Sequence, residues 1–304
     1  MNRENDDELK TIISSLAKKI EKNSHKEDLL PQKVENDPLP YCPLPTDMCR
    51  VSPFFPLSKK ELKKRDFIEE EVIVTSSWGQ ITYTGPKLSV YEEDALIAIL
   101  TVFDKKIKNN YKIIDDKKTY VYKGSILPFL RLYTKGRNPS SKDYTSFLKK
   151  INLLASTNIQ IITYYQSTDE KKKRKIEGFN LIVHYFWDDV NKKIEIELNP
   201  YFYDIYMRKN YTLLDLNIRF KLKKPVSKAL YRFIKSHKGK VWKGHYITLA
   251  KALNLDTSQD TSKKAIYIKI NIQNAIKELK SHNVLSKRSG FLRKSPDIVM
   301  LVLV

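Results

Sequence analysis

Residues 261–304 run TSKKAIYIKINIQNAIKELKSHNVLSKRSGFLRKSPDIVMLVLV. Ala265, Ile268, Ile272, Ile276 and Leu279 recur at three- and four-residue spacing, the period of one buried helix face. Thr261 and Ser262 provide the start, and the pattern holds to about His282. Beyond it, Val284–Leu285 and Ile298–Val304 read as strands. Lys287, Arg288, Arg293 and Lys294 lie in the loop between them. A long helix followed by a basic β-hairpin is how a winged helix ends. In that variant of the helix-turn-helix, the second helix of the pair enters the major groove and the hairpin touches the neighbouring backbone.

Two shorter helices precede this stretch. One runs from about Pro225 to His237, with Val226, Leu230, Phe233 and Ile234 inward; the other covers Tyr246–Leu253. The same order of elements is expected earlier. Val72, Val74, Ile81 and Tyr83 alternate as a hairpin over 70–84. Ser89 and Glu92 form a capping box for a helix whose inner stripe is Ala95, Leu96, Ile99, Leu100 and Phe103. A strand at Thr119–Tyr122, a helix at Ile126–Tyr133 and a helix at about 140–156 follow. Then come two β-rich runs, Ile159–Tyr165 and Phe179–Trp187, joined by a loop holding Lys171, Lys172, Lys173, Arg174 and Lys175. A further strand, Ile194–Leu198, and a Tyr-rich helix from Pro200 end this unit.

At the N-terminus, residues 8–22 read as an amphipathic helix able to dock a partner. Residues 23–50 carry Pro31, Pro38, Pro40, Pro43 and Pro45 and read as a linker. The expected fold is therefore α+β: a flexible N-terminal extension (1–50) and two tandem winged-helix domains (51–215 and 216–304).

Charge gives this fold a partner. The net charge is +21. Residues 1–50 are slightly acidic, with 8 basic and 10 acidic side chains, whereas 221–304 carry 19 basic and only 4 acidic ones. A Lys-rich proteome would raise every surface alike; this concentration calls for a polyanion, and double-stranded DNA is the common one. The outward face of the last helix carries Lys263, Tyr267, Asn274 and Lys277, flanked by Lys264, Asn271 and Gln273. From 261 to 277 there are four lysines and no acid. Lysines serve phosphates, and Asn or Gln pairs with adenine. The earlier candidate helix exposes Lys142, Thr145, Ser146 and Lys149, with Asp143 alongside; dimerisation is the rival role for its domain. Lys172, Lys173 and Arg174 are candidate phosphate contacts on the basic loop.

Other functions find little support. Only 8 glycines argue against a dinucleotide or phosphate-loop site. Gly239–Gly244 comes nearest to such a loop but lacks the following Lys-Ser/Thr. Two cysteines, Cys42 and Cys49, allow no zinc ribbon and no disulfide scaffold. No histidine pair has metal-ligand spacing, so no metal, cofactor or enzymatic activity is expected. No apolar run is long enough for a membrane span, and the polar N-terminus is unlike a signal peptide. A cytoplasmic, DNA-associated protein is expected.

The stretch Leu44–Leu100 resembles the TrfA-type (RepA-like) plasmid replication initiators. Leu44-Pro45, Arg50, Phe54, Tyr83-Thr84-Gly85, Leu88 and Glu92–Leu100 carry the resemblance. The later order also fits that family: the 140–155 helix, Asn158-Ile159, Leu198-Asn199-Pro200 and Leu230-Tyr231-Arg232. The resemblance implies two winged helices that bind direct repeats (iterons) at a replication origin. It also implies origin melting without intrinsic ATPase activity, recruitment of the host replicative helicase, and inactive dimers with DNA-binding monomers. A winged-helix transcriptional repressor is the alternative, and a nicking initiator or primase a third.

Overall fold

The computed structural model describes residues 41–50, 52–76, 79–106, 111–114, 117–165, 173–237, 239–257 and 261–304. The amphipathic helix expected at 8–22, and the linker up to residue 40, lie outside the described residues. Residues 41–50 depart from the linker reading. They form a strand, β1 (Tyr41–Pro45), and one helical turn, α1 (Thr46–Arg50). Cys42 and Leu44 are fully buried, and Cys49 nearly so. Proline density does not forbid this, because Pro43 and Pro45 are two residues apart. Their missing donors fall on one edge of the strand, and the other edge remains able to pair.

After α2 (Lys59–Lys63), the alternating run forms the expected hairpin, β2 (Phe67–Ser76) and β3 (Gly79–Pro86). Helix α3 (Val90–Lys106) starts at the capping box legible in the sequence, with the Ser89 N–H donating to Glu92 Oε2 at 2.7 Å. Every residue from Ala95 to Leu100 is fully buried, so α3 is a central helix covered all round rather than on one stripe. Next come β4 (Tyr111–Ile114), β5 (Lys117–Ser125), α4 (Leu127–Tyr133) and α5 (Ser141–Ala155).

The chain then changes sheets. β6 (Asn158–Tyr165) and β7 (Lys173–Asn180) extend the first hairpin into an antiparallel sheet of order β2-β3-β6-β7. β8 (Ile182–Asp188) and β9 (Lys193–Leu198) join β5 instead, in the order β4-β5-β9-β8. The β-rich run over 179–187 thus holds parts of two strands belonging to different sheets. The crossing is pinned at Leu181, which is fully buried. Beside it the Asn180 amide donates to the Ala155 carbonyl at 2.7 Å and accepts from Asn158 at 3.0 Å.

Helix α6 (Pro200–Met207) is capped by Asn199, and β10 (Tyr211–Asp215) returns to pair antiparallel with β1. Then follow α7 (Leu216–Lys221), α8 (Pro225–Lys235), β11 (Val241–His245), α9 (Tyr246–Ala252), α10 (Ser262–Ser281), β12 (Gly290–Leu292) and β13 (Ser295–Val302). The segment weighed above as a failed phosphate loop holds β11, and the sheet order is β11-β13-β12. Both halves therefore repeat one plan. A helix, a strand, two helices and a two-stranded wing follow in order, and the strand between the first two helices pairs with the last strand of the wing. These are two winged helices of an α+β chain.

Buried charges join the halves. Glu93 and Asp94 on α3 meet Arg219 on α7 and Lys228 and Arg232 on α8. Glu93 Oε2 lies 3.0 Å from Arg219 Nη2 and 2.5 Å from Arg232 Nη1. Asp94 Oδ1 lies 2.9 Å from Arg219 Nε, and Asp94 also pairs with Lys228. Arg219, Arg232 and Glu93 are completely buried. The described residues form one compact unit.

Candidate nucleic-acid interface

Helix α10 sets the geometry of the second module. Thr261 caps it by accepting the Lys264 N–H at 3.3 Å. Ile268, Ile272, Ala275, Ile276 and Leu279 are buried, and the helix packs against α8. At about 100° per residue, the face directly opposite holds Lys263, Ile266, Tyr267, Ile270, Asn274 and Lys277. All of these are exposed except Asn274, which is partly buried.

The expected DNA-reading residues therefore separate. Lys263, Tyr267, Asn274 and Lys277 share the open face. Lys264 and Asn271 turn to the flank and, with Tyr267 at its border, line a cleft of about 810 Å³ that reaches Glu71 and Val72 of β2. Lys264 Nζ sits 2.6 Å from Asp256, and its side chain is only 18% exposed. The Asn271 amide donates to the Tyr267 carbonyl one turn back, at 2.9 Å. Ile266 and Ile270 were missed. The signal was there: the periodicity that turns Ile268, Ile272 and Ile276 inward turns these two to the opposite face.

The wing stands beside this helix. Lys269 Nζ reaches Asp297 on β13 at 2.5 Å, and Lys280 Nζ donates to the Lys287 carbonyl at 3.0 Å. Lys287, Arg288, Arg293 and Lys294 are all exposed, the last two in the turn between β12 and β13. The acids of this stretch are paired within the protein. Glu278 accepts the backbone N–H groups of Lys223 and Lys224 at 2.7 and 3.3 Å, and Asp297 is held by Lys269. The result is a positive helix face and wing whose acids are already engaged within the protein.

The first module is less positive. Ser140 and Asp143 form a second capping box, at the start of α5, and Arg137 grips Asp143 at 2.8 and 2.9 Å. These bonds, that of the Ser140 hydroxyl above all, push the Asp143 carboxyl down to about 2. The acid beside the candidate helix face is thus already engaged. Lys142, Thr145 and Lys149 are exposed. Ser146 is not: it lies 3.4 Å from the Tyr133 hydroxyl and accepts from Lys150 at 3.1 Å, on the side facing α4.

The wing of this module is β8–β9, tipped by Asp188, Asp189 and Lys192, not the Lys-rich hairpin. Lys173 and Arg174 open β7, whose sheet is separate from that wing. Lys172, and the side chains of Lys173 and Arg174, lie outside the described residues.

Among the described residues, no group of three or more His, Cys, Asp or Glu side chains comes together as a metal site. No described helix is long and apolar enough to cross a membrane.

A family model described as "Initiator Replication protein, WH1" matches residues 80–235, slightly more than half of the chain. Among solved structures, the chain is similar to domains 2 and 3 of RctB. One is a selenomethionine derivative, at 12% identity and a TM-score of 0.57, covering 85% of this chain and 98% of that one. A second structure of RctB domains 2–3 gives 12% identity and a TM-score of 0.55, covering 85% and 97%. At that identity the likeness concerns the fold. No curated protein matches the chain.

Proposed function

The chain belongs to the family of initiator replication proteins with a WH1 winged helix, and from that premise we propose that it starts replication by binding tandem direct repeats (iterons) at a plasmid origin. As a replication initiator it binds DNA. The finer reading concerns how it does so. The second module sets α10 into a major groove and rests its basic wing on the adjacent backbone. The first module sets α5, with Lys142, Thr145 and Lys149, into the next groove on the same face, about 34 Å away. Melting follows from strain on a flexible A·T-rich segment beside the repeats. The host replicative helicase is then recruited, and the chain works by binding energy, with no catalytic chemistry of its own. Monomers are the DNA-binding form and dimers the inactive one.

The observation that carries this reading is the open face of α10 and its wing, where Lys263, Lys277, Lys287, Arg288, Arg293 and Lys294 are exposed and the nearby described acids, Asp256, Glu278 and Asp297, are engaged within the protein. The test is a footprint of the full chain on the DNA flanking its reading frame. Protection of tandem repeats of about 20 base pairs, in two grooves about one helical turn apart, is the expected result. Protection of a single promoter palindrome would replace initiation with repression, and metal-dependent cleavage or primer synthesis would replace it with an enzyme.

A further inference from the structure

Three large apolar side chains stand in solvent on the open face of α10. Ile266 is 57% exposed, Tyr267 62% and Ile270 49%. They lie between Lys263 and Lys277 on a face without an acid. Such a stripe calls for a partner that covers it. That partner must bring apolar groups to the middle and negative charge to both ends, since the two lysines are separated by about 21 Å along the helix. The major groove has this composition. Phosphates line its rims, and the C5 methyl of thymine is the apolar group its base edges present.

We propose that Ile266 and Ile270 read thymine methyl groups, so that the second module selects A·T pairs two base-pair steps apart beneath the first half of α10. This deepens the DNA-contact reading of α10 and rests on it. The two side chains are about 6 Å apart along the axis, close to two base-pair steps of ~3.4 Å. They fall in the N-terminal half of the helix, the part that meets base edges when a recognition helix lies in the groove. Lys263 and Lys277 flank them, where long side chains reach phosphates. Selection has a repulsive side as well. An isoleucine pressed onto the amino group of cytosine would bury a donor with no acceptor.

The test removes the methyl and nothing else. Alternating poly(dA-dT) and poly(dA-dU) duplexes share phosphates, minor-groove edges and hydrogen-bonding groups, and differ only at C5. The full chain should bind the thymine polymer about fourfold tighter for one methyl contacted, and about sixteenfold for two, at ~0.8 kcal/mol per buried carbon. The salt dependence should be equal on both polymers, because the phosphate contacts are the same. The Ile266→Ala/Ile270→Ala chain should bind both polymers alike with an unaltered salt slope. Equal binding of the two polymers by the unaltered chain overturns the proposal. So does a double variant that keeps the full thymine preference while changing its oligomeric state in sedimentation, since the stripe would then face a second protein. The underlying reading fails separately: a Lys263→Ala/Lys277→Ala chain with an unchanged salt slope on poly(dA-dT) would put α10 away from DNA altogether.

Discussion

The joint between the two winged helices makes opposite demands on two of its members, Glu93 and Arg232. The cluster holds three cations, Arg219, Lys228 and Arg232, against two carboxylates, Glu93 and Asp94. Burial works against the charge of both guanidiniums. At Arg219 the two carboxylates outweigh it and hold the group above its usual pKa. At Arg232 burial wins and the pKa falls, as it does at Lys228. Arg232 Nε and Nη2 also lack a hydrogen-bond partner, as does Glu93 Oε1.

Replacing Glu93 by Gln leaves three buried cations facing Asp94 alone. Breaking a buried pair from one side costs about 3–5 kcal/mol. With a urea slope of about 2 kcal/mol per molar, the unfolding midpoint should drop by about 2 M. Arg232→Met instead removes the least satisfied cation, balances two cations against two carboxylates and keeps the volume apolar. Its cost should stay within about 1.5 kcal/mol. Urea unfolding of both variants, followed by far-UV circular dichroism, makes the comparison. Equal losses would show that the excess positive charge is not what the joint tolerates at a cost, and the reasoning would be wrong.

Four further outcomes are expected. The Arg293→Ala/Lys294→Ala chain should bind all duplex DNA more weakly and flatten the dependence of log K on log salt by up to about 1.8; an unchanged slope would take the wing off the backbone. Asn274→Ala should narrow the gap between cognate and scrambled DNA by about 1–3 kcal/mol, and equal weakening on both would show that this side chain reads no base. Burial pushes the Cys49 thiol up to about 12, so neither it nor the buried Cys42 should react with a disulfide reagent at pH 8 until urea is added; fast native labelling would contradict the packing of β1 and α1. Asp143, held down to about 2 against an ordinary 3.8, adds stability to the start of α5 that is complete above pH 4 and lost as the pH falls through about 2; a carboxyl NMR titration with a midpoint near 4 would mean that the Ser140 and Arg137 bonds do not form in solution.

What the sequence made legible was whatever depends on local periodicity. The 261–282 helix, the Ser89–Glu92 cap and the hairpin at 70–84 each carry their signal within one or two turns or one strand pair. What it hid depends on distant partners. Tyr41–Pro45 becomes a strand only because Tyr211–Asp215 comes back to pair with it, and nothing local reveals that. Val241–His245 has no apolar run, since its exposed and half-buried positions alternate, and it is a strand because β13 lies beside it. The Lys-rich run at 171–175 has the charge of a wing, yet the wing is set by which hairpin pairs with β5, and that hairpin carries two aspartates at its tip. On α10 the residue types suggested reading by Asn and Lys. The packing on α8 puts Lys264 and Asn271 on the flank and two isoleucines, which the same period already turns outward, on the open face.

The two modules differ in the charge they present, and the joint would decide how that inequality is used on DNA. α10 and its wing offer exposed basic groups with their acids engaged, whereas α5 offers two exposed lysines and a wing tipped by Asp188 and Asp189. Linking a strong module to a weak one raises affinity only through the effective concentration at which the second meets its site, and that concentration is highest when the linkage fixes the right separation. Here the linkage is no flexible tether. The first helix of each module, α3 and α8, meets across buried ion pairs whose rupture costs several kcal/mol. On the proposed mode of binding, a repeat whose half-sites match the separation set by that joint gains both modules. One that is a few base pairs longer or shorter gains only the stronger, because closing the gap requires bending the DNA or breaking the pairs. If both modules engage a repeat as proposed, spacing, rather than base identity under α5, is what the first module contributes to choosing a site. Insertions between the two halves of a repeat should lower affinity to the level of the second module alone, while base changes beneath α5 should matter little.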